Sequence, residues 1–125
     1  MGITQMKIIL TVAGFVLIFL TGYLLYRTGQ PFNAVVLTLH KLLSITVIAY
    51  LILTVMRIGR VAPLGQAAWI ACIAAGVFFL LTIASGGWLS AVKNMPAVVQ
   101  MVHKVLSALT VIFTAVAFYL LLRKE

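Results

Sequence analysis

Four long apolar segments separated by short polar connections dominate the 125-residue chain, at about residues 8–26, 34–56, 67–85 and 97–122. Because a helix needs about 20 apolar residues to cross a hydrocarbon core of ~30 Å, each segment is long enough to span a bilayer. The connections read RTGQPFN, RIGRVAPLGQ and GGWLSAVKNMP, and each contains glycine and proline, which are typical of loops. The segments lack the short alternating pattern of membrane β-strands. The pattern predicts an all-α fold, an integral membrane four-helix bundle forming one domain over residues 1–125.

The composition favours a membrane protein over a soluble one. Hydrophobic residues make up 65% of the chain and charged residues 8%, whereas soluble domains usually carry about 25% charged residues. Nine of the charges are basic, and the single acid is Glu125. The basic residues stand singly at the ends of apolar segments, which fits a membrane surface and argues against nucleic acid as a partner. The lone Cys72 excludes an internal disulfide.

The distribution of basic residues predicts an orientation in the lipid bilayer. Four spans place both termini on one side, and positive charge favours the cytoplasm. We therefore expect a multi-pass protein of the plasma membrane with both termini cytoplasmic. The side of the termini holds Lys7, Arg57, Arg60, Arg123 and Lys124, and the opposite side holds Arg27 and Lys93, with Lys41 and Lys104 entering the membrane.

The second half of the chain repeats the first at a spacing of 63 residues. The phrase LHKLLSITV at 39–47 returns as VHKVLSALTV at 102–111. Upstream, TG at 21–22 resembles SG at 85–86, and AG at 13–14 resembles AG at 75–76, with small shifts in register. Two spans in each unit mean that the halves point the same way. We predict two tandem two-helix repeats, over residues 1–62 and 63–125.

The two histidines of the chain occupy the same place in the two repeats. The second and fourth predicted helices run in the same direction, so His40 and His103 lie at about the same depth, roughly 7–9 Å below the outer boundary at 1.5 Å per residue. Ionisable side chains within a span usually face the interior and mark function. Two neutral imidazoles at one depth suit the two axial positions of a single haem iron.

Small and basic residues near the histidines complete the predicted haem site. Serines one turn below each histidine, and glycines expected to end the other two helices at the same level, would leave room for the ring. Basic side chains near the outer interface would pair with the propionates. These residues are Ser44 and Ser107, Gly22 and Gly86, and then Lys41, Lys104, Arg27 and Lys93.

Two tandem helix pairs, with a histidine near one end of the second helix of each, resemble the small membrane b-type cytochromes. These include the four-helix cores of the cytochrome b561 and ferric-reductase-like groups. The resemblance covers nearly the whole chain in architecture and rests on a short motif. It implies one haem b held by His40 and His103, with one-electron transfer to or from a quinol or a redox protein. Many members of those groups bind two haems through four histidines, whereas this chain has two histidines.

Other functions fit parts of the same pattern. The histidines would also serve as hydrogen-bonding groups between helices, without any cofactor. A small permease-like transporter or an assembly subunit without haem is the alternative, although transporters usually carry an intramembrane acid and this chain has none there. Whether the chain turns over a substrate, as an electron-transfer component of an oxidoreductase, and whether it forms a homodimer are left open by the sequence.

Overall fold

The chain folds into four helices and no strand within residues 3–61 and 63–123, which a computed structural model describes. The helices are α1 (Ile3–Thr28), α2 (Ala34–Val61), α3 (Gln66–Ala91) and α4 (Ala97–Leu122). Each of them contains a stretch long and apolar enough to cross a membrane. The predicted all-α, four-helix fold class is therefore confirmed, and the chain is a multi-pass membrane protein by the length and composition of its helices.

Three of the helices extend beyond the predicted apolar segments. The prediction that α3 ends before the Gly86–Gly87 pair is wrong, because this helix continues to Ala91. Gly22 likewise lies inside α1, six residues before its end at Thr28. A glycine costs about 1 kcal/mol relative to alanine within a helix. In a membrane, however, an interrupted helix would leave backbone groups without hydrogen bonds, which costs more, so the helix continues through the glycines.

Local signals in the first connection explain where α1 ends and α2 begins. Gly29 has a φ of +68°, the left-handed conformation typical of the residue after a helix, and its N–H donates to the Leu25 carbonyl at 3.0 Å. Asn33 caps α2, since its side-chain oxygen accepts hydrogen bonds from the N–H groups of Val35 and Val36 at 2.9 and 3.2 Å. The three prolines all lie between helices, as predicted.

The chain divides within α2 into two compact units, Met1–Ile52 and Leu53–Glu125. In the first unit, the Val47 side chain of α2 lies directly against Gly14 of α1. In the second unit, α3 packs along α4, and the rings of Phe78 and Phe113 stack with their centroids 5.0 Å apart. In each unit, therefore, consecutive helices of the predicted repeat are in contact.

The helix boundaries recur with the period of the sequence repeat. The helix α1 ends at Thr28 and α3 at Ala91, while α2 begins at Ala34 and α4 at Ala97, so both boundaries return after 63 residues. His40 and His103 each lie six residues after the first residue of their helix. The predicted division into repeats at 62 and 63 stays a prediction, since the compact units divide ten residues earlier, after Ile52.

Candidate cofactor site

The imidazole of His40 is held by the helix that precedes it in the chain. The ring is half-buried, and its Nδ1 lies 3.0 Å from the carbonyl oxygen of Ile18 and 2.9 Å from the hydroxyl oxygen of Thr21. A carbonyl oxygen accepts hydrogen bonds and cannot donate them, so Nδ1 carries the proton. In a neutral imidazole, the lone pair then lies on Nε2, and this is the nitrogen that can bind a metal.

The imidazole of His103 is held in the same way in the second unit. Its Nδ1 lies 2.8 Å from the hydroxyl oxygen of Ser85, and this hydroxyl donates its own proton to the Thr82 carbonyl at 2.9 Å. Because a serine hydroxyl has a single proton, its oxygen accepts the hydrogen bond from the imidazole. Both bonds of this hydroxyl form together only when Nδ1 carries the proton, which is the tautomer of His40, with the lone pair on Nε2.

A glycine lies against each imidazole, beside the residue that binds Nδ1. A Cβ on Gly22 would stand 3.1 Å from the Cε1 atom of His40, and a Cβ on Gly86 would stand 2.8 Å from that of His103. Any larger residue would push the ring out of its position. The two glycines therefore let the imidazoles approach the neighbouring helix. Their predicted role of clearing the edge of a haem stays a prediction.

The serines predicted to make room for a ring fold back onto their own helices. The Ser44 hydroxyl donates to the His40 carbonyl at 2.9 Å, and the Ser107 hydroxyl donates to the His103 carbonyl at 2.8 Å. Both residues are half-buried. Since its polar group is satisfied within the helix, each serine presents only a small side chain next to the histidine, which is compatible with the predicted packing role.

The basic residues predicted to meet propionates lie on the surface of the chain. Lys41 and Lys104 are exposed, each directly after its histidine. Arg27 donates from its guanidinium to the Tyr23 hydroxyl at 3.3 Å, and Lys93 is exposed in the connection after α3. The four side chains are thus accessible to an anionic group, and their pairing with propionates stays a prediction.

The structure adds Thr21 and Ser85 to the site. The sequence carried a signal for both, because the dipeptides TG and SG recur one repeat apart, but their shift in register obscured the role of the hydroxyl group. Thr21 precedes His40 by 19 residues, and Ser85 precedes His103 by 18. A hydroxyl residue followed by glycine, roughly 18 residues before a histidine, is therefore the fuller form of the repeated motif.

Each imidazole has the donor chemistry that a haem iron takes, whereas a bare metal ion needs several protein ligands. Residues 3–61 and 63–123 contain no group of three or more His, Cys, Asp or Glu side chains that would hold a metal ion. A haem requires only axial ligands from the protein, and neutral histidine is one of those that it takes. Ligating histidines almost always donate their other N–H to an oxygen, as both histidines do here.

Comparisons of the chain with protein-family models, with curated proteins and with solved structures found no match.

Proposed function

We propose that this protein is a membrane b-type cytochrome in which His40 and His103 are the axial ligands of one haem. The observation that carries the proposal is the equivalence of the two histidines. Each lies six residues into its helix, donates from Nδ1 to the preceding helix and packs on a glycine. Two imidazoles held in the same way, on helices of the same predicted direction, would hold one haem between them.

The bonds at Nδ1 have a direct consequence for ligation. They fix the tautomer, restrict rotation of the ring and increase the electron density on Nε2. For His40, the acceptors are a backbone carbonyl and a hydroxyl, and for His103 a hydroxyl. Thr21 and Ser85 therefore act as positioning residues for the two proposed ligands.

A bound haem would supply one-electron chemistry at its iron. With imidazoles at both axial positions, the protein would leave no position for a gas, so we propose electron transfer as the activity. The exposed Lys41 and Lys104 would receive the propionates. The electron donor or acceptor would be a quinol or a redox protein. A proton-coupled transporter is less favoured, because the chain has no acid within its spans.

The proposal places the haem near the outer face of the plasma membrane, with both termini in the cytoplasm. It can be tested with single cysteines introduced at Asn94 and at Gln66 in a Cys72→Ala background, since both positions are exposed. An impermeant maleimide added to intact cells should label position 94 and leave position 66 unlabelled. The reverse pattern would invert the orientation without changing the ligands. The mass of the solubilised particle would show whether the chain forms a homodimer.

A purely structural role is the second candidate, and it is favoured by the same hydrogen bonds. Each histidine connects its helix to the preceding one, which stabilises a membrane helix pair by ~0.6 kcal/mol on average. In that case each histidine would join the two helices of its own pair and bind no cofactor. A haem-free assembly subunit or permease-like protein would have this property.

The absorption spectrum of protein purified from haem-replete cells separates these candidates. The cytochrome proposal requires a Soret band and the sharp α-band of a six-coordinate, low-spin reduced haem. His40→Ala and His103→Ala should each abolish the low-spin signature or lose the haem, with similar severity, because the two environments are alike. Cys72→Ala, at a half-buried residue of α3, is the control and should leave the spectrum unchanged.

Folded protein that contains no haem would overturn the cytochrome proposal in favour of the structural role. Folding is checked separately by the helical circular dichroism and the elution volume of each variant. A low-spin spectrum that survives in both histidine variants would also overturn it, because the ligands would then be other residues.

A further inference from the structure

A line of hydroxyl groups continues from His103 along one face of α4. Ser107, Thr110 and Thr114 follow the histidine at intervals of four, three and four residues, which is the spacing of one helix face. Thr110 and Thr114 are buried, with 2% and 5% of their surfaces exposed. From α3, the Thr82 hydroxyl meets that of Thr110 at 3.1 Å. The α3–α4 pair therefore encloses polar groups deep within the membrane-spanning part of the chain.

The hydroxyl groups of Thr82 and Thr110 have more acceptors than protons. The Thr82 hydroxyl lies 2.7 Å from the Phe78 carbonyl, and the Thr110 hydroxyl lies 2.7 Å from the Leu106 carbonyl. Each hydroxyl has one proton to donate, so a bond between the two hydroxyls forms only when one of them turns away from its carbonyl. The pair can consequently change its direction of donation and accept a further hydrogen bond from a neighbour.

The hydroxyl of Thr114 is the buried polar group without a partner in the part of the chain that the structure describes. Leaving a buried hydroxyl without a hydrogen bond costs about 1–3 kcal/mol. Residues four apart on a helix have Cβ atoms ≈5–6 Å apart, so one water molecule can bridge the hydroxyls of Thr110 and Thr114. A water molecule at this place would therefore bond both the unpartnered Thr114 hydroxyl and the Thr110 hydroxyl one turn away.

The first repeat has no such line at the equivalent positions. Val47 and Leu51 stand 63 residues before Thr110 and Thr114, and Val47 is buried against Gly14. The polar line is therefore not a general requirement of this helix pair. An apolar pair of the same architecture fills the space with a valine side chain.

We propose that the α3–α4 pair binds a buried water molecule at Thr114, bridged to Thr110, and that this water extends the hydroxyl line leading to His103. The site is independent of the haem proposal, since its ligand is water and its residues belong to one unit. The hydroxyls of Thr114, Thr110 and Thr82 lie towards Ser85, whose own hydroxyl bonds the Thr82 carbonyl and the Nδ1 atom of His103.

Water-edited solid-state NMR of threonine-labelled protein in lipid bilayers tests the site. The Thr114 side-chain signal should receive magnetisation from water sooner than that of Thr11. Thr11 is the matched control because it is also buried and its hydroxyl already has a partner, the Lys7 carbonyl at 2.9 Å. It lies eight residues from the N-terminal end of α1, and Thr114 lies eight residues from the C-terminal end of α4. Thr110→Val should delay the transfer to Thr114 by removing one of the two groups that hold the water.

Two results would overturn the proposal. One is that magnetisation from water builds up equally fast at Thr114 and at Thr11. The other is a rise in the melting temperature of Thr114→Val, because removing a hydroxyl that has no partner relieves its cost of burial, whereas removing one that binds water does not. A Thr114→Ser variant, which keeps the hydroxyl, should retain the fast transfer. Since none of these readouts involves haem, they succeed or fail independently of the absorption spectrum.

Discussion

The two histidine sites make the same contact with different residues. In the first unit Nδ1 meets Thr21 and Ile18, and in the second it meets Ser85, while a glycine lies under the ring in both. The separation between hydroxyl and histidine differs by one residue, 19 against 18. The same contact is thus made by a different hydroxyl residue in a different register. This indicates that the position of the imidazole is the constrained feature of the repeat.

Away from the histidines, the two units differ. Gly14 lies against Val47, whereas a side chain at Gly76, its counterpart in the sequence repeat, would meet nothing within 4 Å. The buried Val47 of the first unit corresponds to the buried Thr110 of the second, which bonds Thr82. The first pair therefore packs closely through an apolar contact at this level, and the second is joined by hydroxyl groups. Four sets of substitutions test how far the two units are alike at the histidines and how far they differ elsewhere.

The largest expected effect is that of Gly86→Ala. A Cβ there would stand 2.8 Å from Cε1 and 3.4 Å from Nδ1 of His103, so the ring must move away from its hydroxyl partner. We expect the free energy of unfolding to fall by about 1–3 kcal/mol, measured by reversible denaturation in mixed micelles. Gly22→Ala should cost less, because the closest atom of His40 is 3.1 Å away.

Gly87→Ala is the matched control, on the same helix with nothing within 4 Å of its Cβ. It should be neutral or stabilise the chain by about 0.5–1 kcal/mol, since alanine favours a helix more than glycine does. Equal losses from the variants at positions 86 and 87 would mean that helix propensity or lipid contact, and not the imidazole, accounts for the effect.

Next in size is Gly14→Ala, which brings a Cβ to 2.7 Å from the Cγ2 methyl of Val47. A loss of about 1 kcal/mol is expected, at the low end for overpacking because a single methyl group is in the way. The same change at Gly76 should cost nothing. Combining Gly14→Ala with Val47→Ala removes the clash, so the two changes should be less than additive in a double-mutant cycle. Strict additivity would show that the two residues do not interact.

A smaller difference in the free energy of unfolding is expected between Ser85→Ala and Thr21→Val. The first change removes the hydroxyl at Nδ1 of His103 and should cost about 1 kcal/mol, the net value of a typical hydrogen bond. The second leaves the Ile18 carbonyl 3.0 Å from Nδ1 of His40, so it should cost less. The ¹⁵N chemical shifts of labelled histidine report the same contrast. Ser85→Thr should restore the shift of His103, whereas a shift unaffected by Ser85→Ala would exclude this contact.

The smallest effect is expected when Val47 and Thr110 are each replaced, in separate variants, by the residue type of the other. Thr110→Val removes the hydrogen bond to Thr82 and should destabilise the chain by ~0.6 kcal/mol, the average for such bonds between membrane helices. Val47→Thr adds a hydroxyl that can donate to the carbonyl four residues earlier, so little change is expected. If Val47→Thr proved the more damaging of the two in the same denaturation experiment, the first unit would be less tolerant of polarity than proposed.

Much of this fold follows from local sequence. Helices are the elements that satisfy all backbone hydrogen bonds within a single span, so four apolar segments of sufficient length gave four helices. The prolines mark the three connections, and the 63-residue period agrees with the equal positions of the two histidines within α2 and α4. The end of α3 was wrongly predicted, because glycine preference is a local property, whereas continuing the helix through Gly86 and Gly87 satisfies backbone groups in an apolar environment.

The sequence by itself determined the membrane class, the number of helices, and the equal positions of His40 and His103 within their helices. These are consequences of hydrophobicity and periodicity along the chain. Only the tertiary structure showed that Thr21 and Ser85 hold the imidazoles, that Gly22 and Gly86 lie beneath them, and that Thr114 is buried without a partner. Such contacts join residues of different helices, and they depend on how the two helices turn their faces towards each other. A one-residue shift in register between the repeats was enough to hide them from the sequence pattern.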